Sequence, residues 1–160
     1  MLGLSALKPS LADFWPKQGP QWDALGQTKD GPVLVEAKAH LREFQSPATA
    51  ASKASRSKIN AAMAHTQRAL GAAPSADWCD VFYQYTNRIA HLNWLHENSV
   101  KAHLVFVSFI GDTEMKGPAC PETWRTAFQL ANYVLGIRQK HPLHRHIHHV
   151  MPDISDLKAW

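Results

Sequence analysis

The chain has 160 residues, of which 45% are hydrophobic and 19% charged, enough for a single domain over residues 1–160 with a buried core. No stretch approaches the roughly 18 consecutive apolar residues of a membrane helix, and no basic segment leads into an apolar run. We therefore expect a cytoplasmic protein without a membrane partner. The net charge of +4 favours polyanions without requiring them, and the isolated Cys79 and Cys120 indicate neither a disulfide framework nor a thiolate zinc site.

The first regular structure that the sequence predicts is a β-hairpin. Residues 32–39 are β-branched and apolar, as in a buried strand, and Asp30 and Gly31 before them form a turn signal. Residues 21–27 can form the other arm.

Two acids and a lysine lie on this hairpin. Because side chains alternate faces along a strand, Glu36 and Lys38 would share one face, and the pairing would place Asp23 beside Glu36. Adjacent carboxylates repel unless a cation offsets them, and hard divalent cations prefer oxygen ligands. Magnesium is the expected ion. The alternative is an exposed hairpin whose Glu36 and Lys38 form a surface pair worth less than about 1 kcal/mol.

A helix is predicted over residues 55–70, after a segment rich in Ser and Ala that carries three basic residues. Lys53, Arg56 and Lys58 could reach phosphates, or they could form a solvated helix start; charge alone leaves both readings open.

A second helix is predicted over residues 80–97. One stripe, formed by Phe82, Tyr85, Ile89 and Leu92, has the spacing of a core face. The other stripe carries Gln84, Asn87, Arg88 and His91 at three- and four-residue steps, so these side chains can converge. For His91 we expect a solvated position.

The rest of the chain predicts a buried central strand over residues 101–110 and a helix from Pro121 to Gly136. The apolar stripe of that helix is formed by Trp124, Phe128, Ala131 and Leu135. The tail from about residue 141 is rich in histidine. If it is extended, His144, His146 and His148 share one face, where imidazoles can bind zinc or nickel. We expect an edge strand or surface segment with incidental metal affinity.

Asp23 followed by Glu36-Ala37-Lys38 resembles the PD-(D/E)XK nuclease superfamily, in which an acid on one strand precedes a Glu-x-Lys on the next. The Pro-Asp dipeptide of that pattern is absent because Trp22 precedes Asp23. The wider strings at residues 19–25 and 35–40 look like a little-characterised bacterial group of small proteins with this core. The resemblance implies an α/β fold with a restriction-endonuclease-like αβββαβ core, a central mixed β-sheet flanked by helices. Only two strands are visible before the helices, so we expect a further short strand near Trp15 or Trp22.

The resemblance also implies a function. Asp23, Glu36 and the backbone carbonyl of Ala37 would hold Mg²⁺, or Mn²⁺ in its place, and Lys38 would assist hydrolysis of a phosphodiester. Gln84 and Arg88 would act from the second helix, although a solvated face is an equally open reading for both. The expected partner is nucleic acid, with DNA preferred, and a homodimer is compatible because many nucleases of this fold dimerise. The alternatives are a catalytically inactive module that binds nucleic acid or protein, and a metal-dependent enzyme acting on another phosphate substrate.

Overall fold

The computed structural model describes residues 7–46 and 51–157, which form an α/β structure with a four-stranded mixed sheet flanked by helices. The α/β fold class predicted from the sequence is confirmed. In chain order the elements are α1 (Lys8–Phe14), β1 (Ala24–Thr28), β2 (Gly31–Lys38), α2 (Leu41–Phe44), α3 (Lys53–Leu70), α4 (Tyr83–Glu97), β3 (His103–Ser108), α5 (Pro121–Val134), β4 (Ile147–Val150) and α6 (Ile154–Leu157).

The strands lie in the order β1-β2-β3-β4. The predicted hairpin is confirmed, because β1 and β2 pair antiparallel from Ala24 opposite Val35 to Thr28 opposite Gly31. The next two pairs, β2 with β3 and β3 with β4, are parallel. Long helical connections between parallel strands are the usual solution, and α3 with α4, then α5, supply them here. The predicted strand at residues 101–110 is therefore an interior strand.

Alternation along the strands gives the sheet a buried face and a half-exposed face. On β3, Leu104 and Phe106 are buried while Val105 and Val107 are half-buried. The helices cover the buried face, where the ring centroid of Phe128 on α5 lies 5.8 Å from that of Phe106 on β3. The sheet therefore has one face in the core and one accessible to partners or solvent.

The predicted apolar stripes are confirmed as core. The stripe along α4 and its N-cap is buried throughout, and so is the stripe along α5 and its C-cap. The first consists of Phe82, Tyr85, Ile89 and Leu92, and the second of Trp124, Phe128, Ala131 and Leu135. Two buried tryptophans also donate hydrogen bonds to backbone carbonyls. The indole Nε1 of Trp78 donates to the carbonyl of Leu135 over 3.0 Å. That of Trp124 donates to the carbonyl of Phe109 over 2.9 Å.

The further strand expected near Trp15 or Trp22 is wrong. Trp15 caps the C-terminus of α1, and Trp22 lies in an irregular segment that is held by side-chain contacts rather than by a ladder. The tail is an edge strand within the described residues, as expected, but β4 begins only at Ile147 because residues 142–146 form turns. None of the helices in the described ranges is long and apolar enough to span a bilayer.

Candidate active site

Glu36 is a buried carboxylate near the carboxyl end of β2, with 3% of the residue exposed. Its place on the strand follows the alternation that buries Pro32 and Leu34, so the core face of β2 changes from apolar to charged at Glu36. Each oxygen of the carboxylate has a cationic partner. Lys38 Nζ lies 2.5 Å from Oε1, while Arg88 Nε and Nη2 lie 2.7 Å and 2.6 Å from Oε2. The shared face predicted for Glu36 and Lys38 is therefore confirmed, whereas the exposed surface pair is not what the structure contains.

Arg88 joins three parts of the chain through one guanidinium. It comes from α4, is 5% exposed and holds Glu36 of β2. Its Nη2 also donates to the backbone carbonyl of Gln21 over 2.8 Å, and its Cζ lies 4.9 Å from the ring centroid of Trp22. Arg88 thus fixes both the buried carboxylate and the segment that leads into Asp23.

Asp23 lies at the open end of the hairpin, immediately before β1. Its backbone N–H donates to the carbonyl of Val35 over 3.1 Å, which continues the ladder and brings Asp23 across from Glu36. Its carboxylate is exposed, and Oδ2 accepts a 2.7 Å hydrogen bond from the N–H of Ala37. The structure therefore gathers Asp23, Glu36, Ala37 and Lys38 at one end of the β1–β2 pair, as the sequence predicts.

The charges of this cluster balance without any other ion. Asp23 and Glu36 supply two negative charges, and Lys38 and Arg88 supply two positive charges. Across residues 7–46 and 51–157, no three His, Cys, Asp or Glu side chains are grouped so that they could hold a metal. A divalent ion here would need the two carboxylates together with backbone carbonyl or water oxygens, which are ligands that Mg²⁺ accepts.

Gln84 lies one helical turn before Arg88 and is half-buried. It lines a narrow cavity together with Glu36, Lys38 and Ser108. Ser108 is 1% exposed, ends β3 and stands opposite Lys38 in the parallel ladder. Sequence reasoning missed Ser108, although a small polar residue on the buried face of a predicted strand is a detectable signal.

His91 is buried, so the solvated position expected for it is wrong. The centroid of its ring lies 4.5 Å from that of Trp15 and 5.6 Å from that of Phe14. Its Nδ1 lies 2.9 Å from the carbonyl oxygen of Asn87. Burial lowers the pKa of His91 to about 4, and the charge of Arg88 acts in the same direction. His91 is therefore neutral at physiological pH. The helical spacing places His91 on the polar stripe of α4. That spacing does not show that the rings of Phe14 and Trp15, at the end of α1, cover it.

The basic residues Lys53 and Arg56 are exposed on the first turns of α3. The side chains that line the cavity beside Glu36 do not include them. Arg56 instead lines a separate polar cleft with Asn60 and Asp77. Contact of these residues with a nucleic-acid backbone stays a prediction.

Comparison of the chain with protein-family models, with curated proteins and with solved structures found no match. The geometry of the site and its chemistry are therefore the basis for assigning a function.

Proposed function

We propose that the protein is a Mg²⁺-dependent nuclease that hydrolyses phosphodiester bonds of nucleic acid, with DNA as the preferred substrate. The observation that carries the proposal is that Asp23 lies across from Glu36 in the strand pair, and that Lys38 forms an ion pair with the carboxylate of Glu36. A buried acid costs free energy to desolvate, and an apolar residue at this position of β2 would avoid that cost. A catalytic role would account for a carboxylate at this position.

The donor set fits a hard divalent cation. Asp23 uses only Oδ2 in its bond to Ala37, so within the described residues Oδ1 has no hydrogen bond. Asp23, Glu36 and the carbonyl of Ala37 would hold the ion. A bound Mg²⁺ would polarise a phosphate oxygen and lower the pKa of a coordinated water.

The protein's own groups then have separate tasks. Arg88 holds Oε2 of Glu36 and so keeps this carboxylate oriented. Lys38 carries a charge next to the same carboxylate and would orient the attacking water or offset negative charge that develops on the phosphate. Gln84 lines the same cavity, which at about 10 Å³ has room for one water, and would act beside the carboxylate rather than enclose the substrate.

The element order supports a restriction-endonuclease-like core as the finer fold assignment. A hairpin bearing the acids, followed by helices and a parallel strand, fits the later part of an αβββαβ arrangement. The first strand of that arrangement has no counterpart in the described residues. We propose the core on the order and pairing of the remaining elements.

A second candidate is a non-catalytic module of the same fold that binds nucleic acid or a protein. One observation favours it: both oxygens of Glu36 already have cationic partners, and Asp23 is bonded to a backbone N–H. Such a cluster could serve folding alone.

The deciding experiment is cleavage of labelled single- and double-stranded DNA and RNA with Mg²⁺ or Mn²⁺. Glu36→Gln and Lys38→Ala proteins are purified in parallel, with Glu122→Gln as a control because Glu122 is an exposed carboxylate on α5. We expect cleavage by the natural protein and by Glu122→Gln, and a loss of at least about a hundredfold in the other two. Full activity in Lys38→Ala would refute the assignment. Binding without cleavage would favour the non-catalytic module, and metal binding with no effect of nucleic acid would indicate another phosphate substrate.

A further inference from the structure

Four histidine rings from separate parts of the chain contact one another near the amino ends of β3 and β4. His103 begins β3, His148 lies on β4, His146 directly precedes β4, and His96 lies at the end of α4. The ring centroids are 4.4 Å apart for His96 and His146, 5.1 Å for His103 and His146, and 5.3 Å for His103 and His148. The parallel pairing of β3 with β4 brings three of these rings together, and the end of α4 adds His96. We call this group the histidine cluster.

Two of these rings already point nitrogen atoms at each other. His103 Nδ1 lies 3.1 Å from His148 Nε2. In neutral imidazoles one of these nitrogens must donate and the other accept, so a single proton lies between them. Zinc–nitrogen bonds of about 2.0–2.1 Å in a tetrahedral site separate two ligand nitrogens by about 3.3 Å. The two nitrogens are therefore already at nearly the separation that a metal ion needs. Each ring would turn so that its lone pair points to an ion beside the line between them, and the donor ring would carry its proton on the other nitrogen.

A second observation concerns His146. Its Nδ1 is buried and has no hydrogen-bond partner within the described residues. A buried polar atom without a partner costs free energy, so such an atom commonly marks a position where a ligand or a water belongs. His96 beside it is oriented by a 2.9 Å hydrogen bond from its Nε2 to the carbonyl of Ala102, the kind of backbone contact that fixes the ring of a metal-ligating histidine.

We propose that His103 and His148 bind a borderline divalent transition metal, with Zn²⁺ as the favoured ion. No three side chains of the described residues are already arranged as a ligand set, so water or a rotated His146 completes the coordination. Imidazole nitrogens suit Zn²⁺, Ni²⁺ and Cu²⁺, whereas the carboxylates of Asp23 and Glu36 suit Mg²⁺.

The site is separate from the proposed active site. His103 and Ser108 are the two ends of β3, about 17 Å apart along a strand of this length. Ser108 lines the cavity beside Glu36, so metal at the histidine cluster does not use the ligands of the nuclease site. The proposal therefore stands whether or not the protein cleaves nucleic acid.

The test is metal binding by protein that carries no affinity tag, with Zn²⁺ followed by calorimetry and Co²⁺ by its visible absorption. His103→Ala and His148→Ala are compared with His144→Ala, a matched control from the same tail whose Nδ1 lies 2.7 Å from the carbonyl of His141. His148 is exposed, so its substitution should leave the circular dichroism spectrum unchanged.

We expect the natural protein and His144→Ala to bind Zn²⁺ with the same affinity, and His103→Ala and His148→Ala each to weaken binding at least about tenfold. A tetrahedral Co²⁺ spectrum that is lost in His148→Ala would support the same ligand. Failure of the natural protein to bind Zn²⁺, or an equal loss of affinity in His144→Ala, would overturn the proposal.

Discussion

Replacement of Arg88 by Met tests whether the buried charge cluster holds the site together. Methionine keeps much of the length and apolar volume of the side chain but removes the guanidinium. The change deletes both donors to Oε2 of Glu36, the donor to the carbonyl of Gln21 and the contact with Trp22. Lys38 stays on the other oxygen of Glu36.

The expected loss of stability is large because the buried carboxylate of Glu36 would lose its ion pair with Arg88. Removing one partner of a buried ion pair costs about 3–5 kcal/mol, and the remaining contact with Lys38 places the estimate at the lower end, about 3 kcal/mol. Domains of this size have a free energy of unfolding of about 5–15 kcal/mol, so the variant should fold but with a clearly lower urea midpoint.

The assay is urea unfolding at pH 7, followed by the fluorescence of the six tryptophans. Arg125→Met is the matched control because it removes the same charge. Arg125 pairs with Glu122 at 2.6 Å on the surface of α5, where both side chains are more than half exposed. Its loss should stay within about 0.5 kcal/mol.

A Glu36→Gln background shows whether the stranded carboxylate causes the loss. With no negative charge at position 36, Arg88→Met should cost at least about 1 kcal/mol less than in the natural protein. A loss below about 1 kcal/mol for Arg88→Met alone, or an identical loss in both backgrounds, would refute the reasoning.

Three further predictions follow from single residues. His91 should lower stability by about 2.5 kcal/mol between pH 6.5 and pH 4, because the unfolded side chain takes up a proton that the buried ring, with its pKa of about 4, does not. His91→Leu should therefore reduce the pH dependence of the urea midpoint, and an unchanged slope would contradict this. Gly71 and Gly136 both have positive φ, 63° and 65°, but an added Cβ would overlap Ala73 at Gly136 and would meet nothing at Gly71. Gly71→Ala should therefore lower the free energy of unfolding by about 1 kcal/mol, and Gly136→Ala by at least about 2 kcal/mol more, as measured by thermal unfolding. Equal losses would exclude the steric account. Asp23→Asn should leave stability within about 0.5 kcal/mol but weaken Mg²⁺ binding at least about tenfold in calorimetry, and an unaltered affinity would remove Asp23 from the ligand set.

Local patterns were sufficient for much of the fold. The turn at Asp30 and Gly31 predicted the hairpin and thereby the proximity of Asp23 to Glu36, because pairing across a short turn fixes the register. The helical stripes predicted which faces of α4 and α5 are buried, because a 3.6-residue period identifies a face without reference to its neighbours.

Contacts between distant elements could not be predicted in this way. His91 is polar by type and shares a stripe with Gln84, yet aromatic rings at the C-terminal end of α1 cover it. His103 and His148 are 45 residues apart, and only the parallel pairing of β3 with β4 brings them together. The sequence showed the histidines of the tail but not the partners on β3 and α4.

The charge on the buried face of β2 favours the functional reading that we propose over a purely structural one. Pro32 and Leu34 show that this face packs well with apolar side chains, and Glu36 continues the same row. Replacing a buried ion pair by apolar residues of similar volume is often neutral or stabilising, so stability alone does not explain Glu36 with Arg88. Glu36 lies near the carboxyl end of its strand, the edge at which open α/β sheets bind ligands, and its neighbour Lys38 has 16% of its side chain exposed. A buried acid at that edge, paired with Arg88 on one side and with the partly exposed Lys38 on the other, fits the hydrolytic site that we propose better than it fits a packed core.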